Sequence, residues 1–96
     1  MKVPRRIIEK SLQGKGFEKH DGRDHRYYYF LYKGKKTIAR TKVSTGTKYK
    51  DYGMDLLNMM KRDLFLELKD LKDLVICPMN EDQYARILLK KGKISS

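Results

Sequence analysis

The stretch from Asp21 to Val43 constrains the fold of this chain more than any other. It reads Asp-Gly-Arg-Asp-His, then Arg-Tyr-Tyr-Tyr-Phe-Leu-Tyr, then Lys-Gly-Lys-Lys, then Thr-Ile-Ala-Arg-Thr-Lys-Val. Two runs rich in aromatic and β-branched side chains flank a basic turn containing Gly34, which is the pattern of a β-hairpin. Alternation along the first run, about His25 to Tyr32, places His25, Tyr27, Tyr29 and Leu31 on one face. Arg26, Tyr28, Phe30 and Tyr32 fall on the other. Both sets are amphipathic, so alternation leaves open which face is buried. Of Tyr27, Tyr28, Tyr29 and Tyr32, one pair is expected in the core and one pair free for a ligand. Lys33 to Lys36 form the expected turn and Thr37 to Val43 the returning strand. There Thr37, Ala39, Thr41 and Val43 oppose Lys36, Ile38, Arg40 and Lys42, so Arg40 and Lys42 are expected to face solvent.

Helical patterns stand on both sides of this hairpin. Pro4 suits the first turn of a helix, where its missing N–H costs nothing. Ile7, Ile8, Ser11 and Leu12 then share one face, with Arg5, Arg6, Glu9, Lys10 and Gln13 on the other, and Gly14 is a stop signal. Phe17 to His20 reads as a short first strand with Phe17 buried, and Asp21 to Asp24 as a tight turn. After the polar Ser44–Thr47 loop, Asp51 or Gly53 introduces a second helix with Leu56, Leu57, Met60 and Leu64 as its apolar stripe. Met54, Met59 and Met60 are expected to fill core rather than to form a binding surface. A third helix, about Leu68 to Ile76, turns Leu71, Leu74 and Val75 inward and stops at Pro78. The last helix has the clearest local signals. Asn80 and Gln83 form a capping box, Met79 and Tyr84 are spaced as a hydrophobic staple, Tyr84, Ile87 and Leu88 face inward, and Gly92 follows the end. The order is that of an α+β chain: a small three-stranded antiparallel sheet with helices on one face and a basic, aromatic face open to solvent. A chain of 96 residues is expected to be a single domain, 1–96, with a core in 1–66 and two further helices in 67–96.

Charge bears on function. The net charge is +11, and residues 1–50 hold all of it, with 15 Lys/Arg against 4 Asp/Glu. Residues 51–96 hold 8 of each sign. A one-sided basic field with the hairpin at its centre points to a polyanion, and nucleic acid is the commonest. The single cysteine, Cys77, permits no intramolecular disulfide and reads as a small buried hydrophobe. No 18-residue apolar run is present, and the first residues do not resemble a signal-peptide core, so a soluble, cytoplasmic protein is expected.

Most enzyme chemistries lack their residues here. There is no P-loop and no dinucleotide fingerprint. Two histidines and one cysteine lie at no zinc-ligand spacing, and a metal shared by His20 and His25 with Asp21 or Asp24 is disfavoured in so cationic a chain. No cofactor is implied. Acid–base chemistry on a phosphodiester survives this exclusion. RNA carries its own nucleophile, the 2′-hydroxyl, so cleavage needs one group titrating near neutrality and cations to meet the developing charge. His25 can be that group, with Arg23, Arg26, Arg40 and Lys42 nearby, Lys33, Lys35 and Lys36 on the turn, and Tyr27 and Tyr29 to stack bases. His25 can equally be an ordinary polar residue at a strand start. Asp24 places a carboxylate beside it, able to set its tautomer or to repel phosphate.

Over residues 4–66 the chain resembles the HicA family of RNA-cleaving toxins. The resemblance rests on the opening helix with Leu12, Gly16-Phe17, the strand and turn leading to a histidine before an aromatic strand, the Lys33-Gly34-Lys35-Lys36 turn, and a Leu-rich helix with Leu56, Leu57 and Met60. It implies a fold like the double-stranded-RNA-binding domain, α-β-β-β-α, with two added C-terminal helices. It also implies a metal-independent endoribonuclease with His25 as its catalytic residue, mRNA as substrate, and an antitoxin protein as partner. The family motif is Gly-Ser-His where this chain has Arg23-Asp24-His25. Two other functions stay open beside that one: a non-catalytic nucleic-acid-binding module, and an interaction subunit that binds no nucleic acid.

Overall fold

A computed structural model of the chain describes residues 2–46, 50–76 and 78–95. The expected burial of Cys77 and the Thr47 end of the polar loop lie outside these residues. The chain opens with a short strand, β1 (Val3–Pro4), and runs directly into helix α1 (Arg5–Gly14). Pro4 therefore stands just before the helix rather than in its first turn. Three strands follow, β2 (Phe17–Asp21), β3 (His25–Tyr32) and β4 (Lys35–Ser44), and form an antiparallel sheet in the order β2-β3-β4. A two-residue strand, β5 (Asp51–Tyr52), pairs antiparallel with β1 through Val3–Tyr52 and Pro4–Asp51. This second, two-stranded sheet carries no alternation long enough to be read from sequence. Helices α2 (Met54–Asp63), α3 (Leu68–Ile76) and α4 (Glu81–Lys90) complete the α+β fold. None of the helices is long and apolar enough to cross a membrane, among the described residues.

The helices settle which sheet face is buried. Phe17 from β2, Tyr28 and Phe30 from β3, and Ala39, Thr41 and Val43 from β4 all turn to one side and lose nearly all their exposure. Helix α1 lies against β2 and α2 against β4. From α4 the ring of Tyr84 stacks on Phe17 at 5.6 Å and meets Phe30 edge-on at 4.8 Å, centroid to centroid. The two C-terminal helices are thus part of the sheet's own core, supplying Leu71, Leu74, Val75, Tyr84, Ala85 and Leu88 to the same apolar cluster as Ile8, Leu12 and Leu57. Polar ties reinforce them. Ser11 Oγ donates to the Val75 carbonyl at 2.6 Å, and the Tyr84 hydroxyl donates to the Leu64 carbonyl at 2.9 Å.

Local chemistry explains the turns. Tyr32 pairs with Lys35 across the second hairpin, so the turn is only Lys33-Gly34 and both following lysines belong to β4. Lys33 has φ 54 and Gly34 φ 77, the two positive values that a two-residue hairpin turn matched to strand twist requires. Register then shifts between Tyr29 and Leu31. The Thr37 hydroxyl stabilises this bulge, donating to the Phe30 carbonyl at 2.9 Å and accepting from the Ala39 N–H at 3.2 Å. The capping box of α4 is present as expected, with Asn80 and Gln83 exchanging side-chain-to-backbone bonds of 2.9 Å.

Two helical expectations fail for identifiable reasons. Glu9, on the polar side of α1 by spacing, is only 8% exposed. Its carboxylate accepts from Arg26 at 2.7 and 2.9 Å and from the buried Tyr28 hydroxyl at 2.7 Å. Met54 and Met59 are 39% and 45% exposed, and only Met60 fills core as expected. Helix α2 buries Leu57 and Met60, with Leu56 partly buried beside them, and leaves Met54 and Met59 on its outer side.

Candidate nucleic-acid interface

Because Tyr28 and Phe30 are buried, pleating turns His25, Tyr27, Tyr29 and Leu31 to the opposite, solvent-facing side of the sheet. Register brings cations to them from β4. Tyr27 lies opposite Lys42, Tyr29 opposite Arg40, His25 opposite Ser44, and Leu31 opposite Lys36. Lys36, Arg40 and Lys42 are exposed, as is Ile38 between them at 60%. The result is one row of aromatic rings and His25 beside one row of positive charges. On β2 the same face receives Glu18 and His20, opposite Tyr29 and Tyr27.

Contacts on this face grade the two tyrosines. Tyr29 is half-buried, with Lys36 Nζ 4.8 Å from its ring centroid and the His20 ring edge-on at 5.2 Å. His20 is in turn tied to Glu18, Nε2 to Oε1, at 2.6 Å. Tyr27 is 37% exposed, and among the described residues its one ring contact is the tilted His25 ring at 6.3 Å. Tyr27 is therefore the freer stacking surface.

His25 sits at a sheet end that is anchored from several directions. Its carbonyl accepts the Gly22 N–H at 2.8 Å, and a Cβ on Gly22 would lie 2.7 Å from that same oxygen. Only glycine lets the turn approach so closely, so Gly22 sets the backbone position of the histidine. Arg5 donates to the Ser44 and Gly46 carbonyls at 2.7 and 2.5 Å, and the Ser44 N–H donates to the Tyr52 hydroxyl at 3.0 Å. Asp24 contributes through its backbone: its carbonyl accepts from the Thr45 N–H at 3.1 Å and the Thr45 hydroxyl at 3.0 Å. Among the described residues no ion pair joins the Asp24 carboxylate to His25.

Beside His25, past the edge of β4, lies a cavity of about 190 Å³ lined by His25, Thr41, Lys42, Ser44, Tyr52, Leu56, Met59, Met60 and Asp63. Asp63 also borders a shallower depression on the open face with Tyr27, Tyr29, Arg40 and Lys42. Its carboxylate is held by the Thr41 hydroxyl at 2.9 Å.

The residues expected from sequence separate into two groups. His25, Tyr27, Tyr29, Lys36, Arg40 and Lys42 share the open face. Arg23 lies exposed in the β2–β3 turn and Lys33 at the hairpin tip, with its Nζ 5.6 Å from the Tyr32 ring. Lys35, paired with Tyr32, belongs by pleating to the side of the buried residues. Arg26 is displaced from the set altogether. It extends from the same side as Tyr28 and is bound by Glu9, which raises its pKa against the opposing effect of burial. Asp63, Met59, Leu56 and Tyr52 were not expected near His25. They follow it by some thirty residues, and no local pattern connects the two segments. Among the described residues no three His, Cys, Asp or Glu side chains are grouped to hold a metal ion. Compared with protein-family models, curated proteins and solved structures, the chain has no match.

Proposed function

We propose that the open sheet face binds single-stranded RNA and that the chain is a HicA-like, metal-independent endoribonuclease acting through His25. The register of β3 against β4 carries this reading: each outward aromatic side chain stands across from a basic one. Such a row meets the two requirements of RNA binding, π-faces for unpaired bases and cations for phosphates. At its end His25 would take the proton of a 2′-hydroxyl as the oxygen attacks phosphorus. Lys42 would meet charge building on the phosphorane oxygens, and as the bond from phosphorus to the 5′-oxygen breaks, that oxygen would take a proton from water and leave as a hydroxyl. The products would be a 2′,3′-cyclic phosphate and a 5′-hydroxyl.

A second reading, binding without cleavage, draws on one observation. Among the described residues no hydrogen bond orients the His25 imidazole, and the Tyr27 ring is its single ring contact. General bases are ordinarily held by such a bond.

One pair of measurements separates the two. Cleavage of labelled RNA in excess chelator is expected for the native chain and is expected to fall at least about a hundredfold in His25→Ala, the usual contribution of a general base. RNA binding is expected to persist in that variant. Binding without cleavage by the native chain would leave the second reading. Equal cleavage by both proteins would remove His25 from the chemistry.

A further inference from the structure

We infer that the cavity beside His25 is a base-specific subsite that takes an unpaired guanine, with Asp63 reading its Watson–Crick edge. The inference rests on the proposed RNA face and deepens it by naming what that face selects.

The cavity, about 190 Å³, is smaller than the range of about 300–1,000 Å³ typical of drug-sized ligands, which suits one planar base. Its walls are the side chains a base would pack between: Leu56, Met59, Met60 and Tyr52. Thioethers adapt to flat aromatic surfaces, and the walls hold two of them, Met59 and Met60.

Asp63 supplies the selection. A carboxylate offers about four acceptor sites, and the Thr41 hydroxyl uses one of them. That bond fixes the carboxylate at the cavity and leaves acceptors for a ligand. Guanine presents two donors side by side, N1–H and the N2 amino group, which match two carboxylate oxygens. Adenine, cytosine and uracil each present one donor on that edge beside acceptors, which a carboxylate would repel. Lys42, shared by the cavity and the open face, and Arg40, two residues along β4, stand where the phosphates flanking such a base would run.

The test uses fluorescence anisotropy at low salt with short 2′-O-methyl oligouridylates, which lack the attacking hydroxyl, either plain or carrying one central guanosine, adenosine, cytidine or inosine, the last lacking the N2 amino group. Guanosine is expected to bind about tenfold or more tighter than uridine, with inosine between them. Asp63→Asn, which replaces an acceptor by a donor, is expected to bring the guanosine-to-uridine ratio close to one. The ratio is the proper readout, because removing a negative charge strengthens phosphate binding in every oligonucleotide. Met59→Glu, at an exposed position, blocks the cavity from its other wall and is expected to do the same. Equal affinity for all five oligonucleotides, or an unchanged ratio in Asp63→Asn, would overturn the guanine site while leaving the RNA face standing. Binding of none of them would overturn both.

Discussion

Glu9 places its carboxylate between Arg26 and the hydroxyl of Tyr28, at the seam where α1 meets the sheet. Each partner left unsatisfied at such a site costs about 1–3 kcal/mol. Glu9→Ala is therefore expected to lower stability by about 2–4 kcal/mol in urea unfolding, while Tyr28→Phe, which leaves the Arg26 pair intact, costs about 1 kcal/mol. The buried tyrosines respond to pH with a definite sign. Burial raises the Tyr84 pKa well above its ordinary value of 10.0, and burial together with the Glu9 bond raises that of Tyr28. Below pH 10 both groups keep their protons folded or unfolded. Above it the unfolded chain ionises first, so stability falls as pH rises, by up to about 1.4 kcal/mol per unit for each group. Unfolding measured at pH 8, 10 and 11 is expected to show this decline, and Tyr84→Phe should make it shallower. An unaltered slope in that variant would mean Tyr84 is not protected from ionisation.

Elements differ in how much of their structure is written locally. Helix α4 carries its start signal in four consecutive residues, and Asn80→Ala is expected to lower stability by about 1 kcal/mol through loss of the Gln83 bond. A urea midpoint shift with an unchanged slope would verify it. The β3–β4 hairpin was legible for the same reason, since aromatic alternation and Gly34 together require it. Its bulge was not. Thr37 looks like any strand threonine until its hydroxyl is seen to replace ladder bonds at Phe30 and Ala39. The β1–β5 pair was equally hidden, because two residues have no periodicity and their partners are remote in sequence.

Across the whole molecule, the chain gathers its excess positive charge in residues 1–50, and the fold decides which of those cations stay available. Arg5 and Arg26 are occupied by carbonyls and by Glu9, whereas Lys36, Arg40 and Lys42 stand exposed on the open face. RNA affinity is accordingly expected to fall steeply with salt. Arg40→Ala and Lys42→Ala should each reduce the slope of log affinity against log salt by about one. Arg26→Ala is expected to lower stability and leave that slope alone. Anisotropy titrations across a salt series, with unfolding run beside them, distinguish these outcomes.

Local chemistry determined the α+β order, the strand alternation and the capping box, because each depends on neighbours within a few residues. Those terms also determined that Arg40 and Lys42 face away from Ala39 and Val43. Only the tertiary structure decided which face of β3 is inside. Tyr28 and Phe30 are no more apolar as a set than Tyr27, Tyr29 and Leu31, so the choice came from what α1 and α4 bring against them: Glu9 for the Tyr28 hydroxyl, and the Tyr84 ring for Phe30. The same packing brings Asp63 and Met59 into the lining of one cavity with His25.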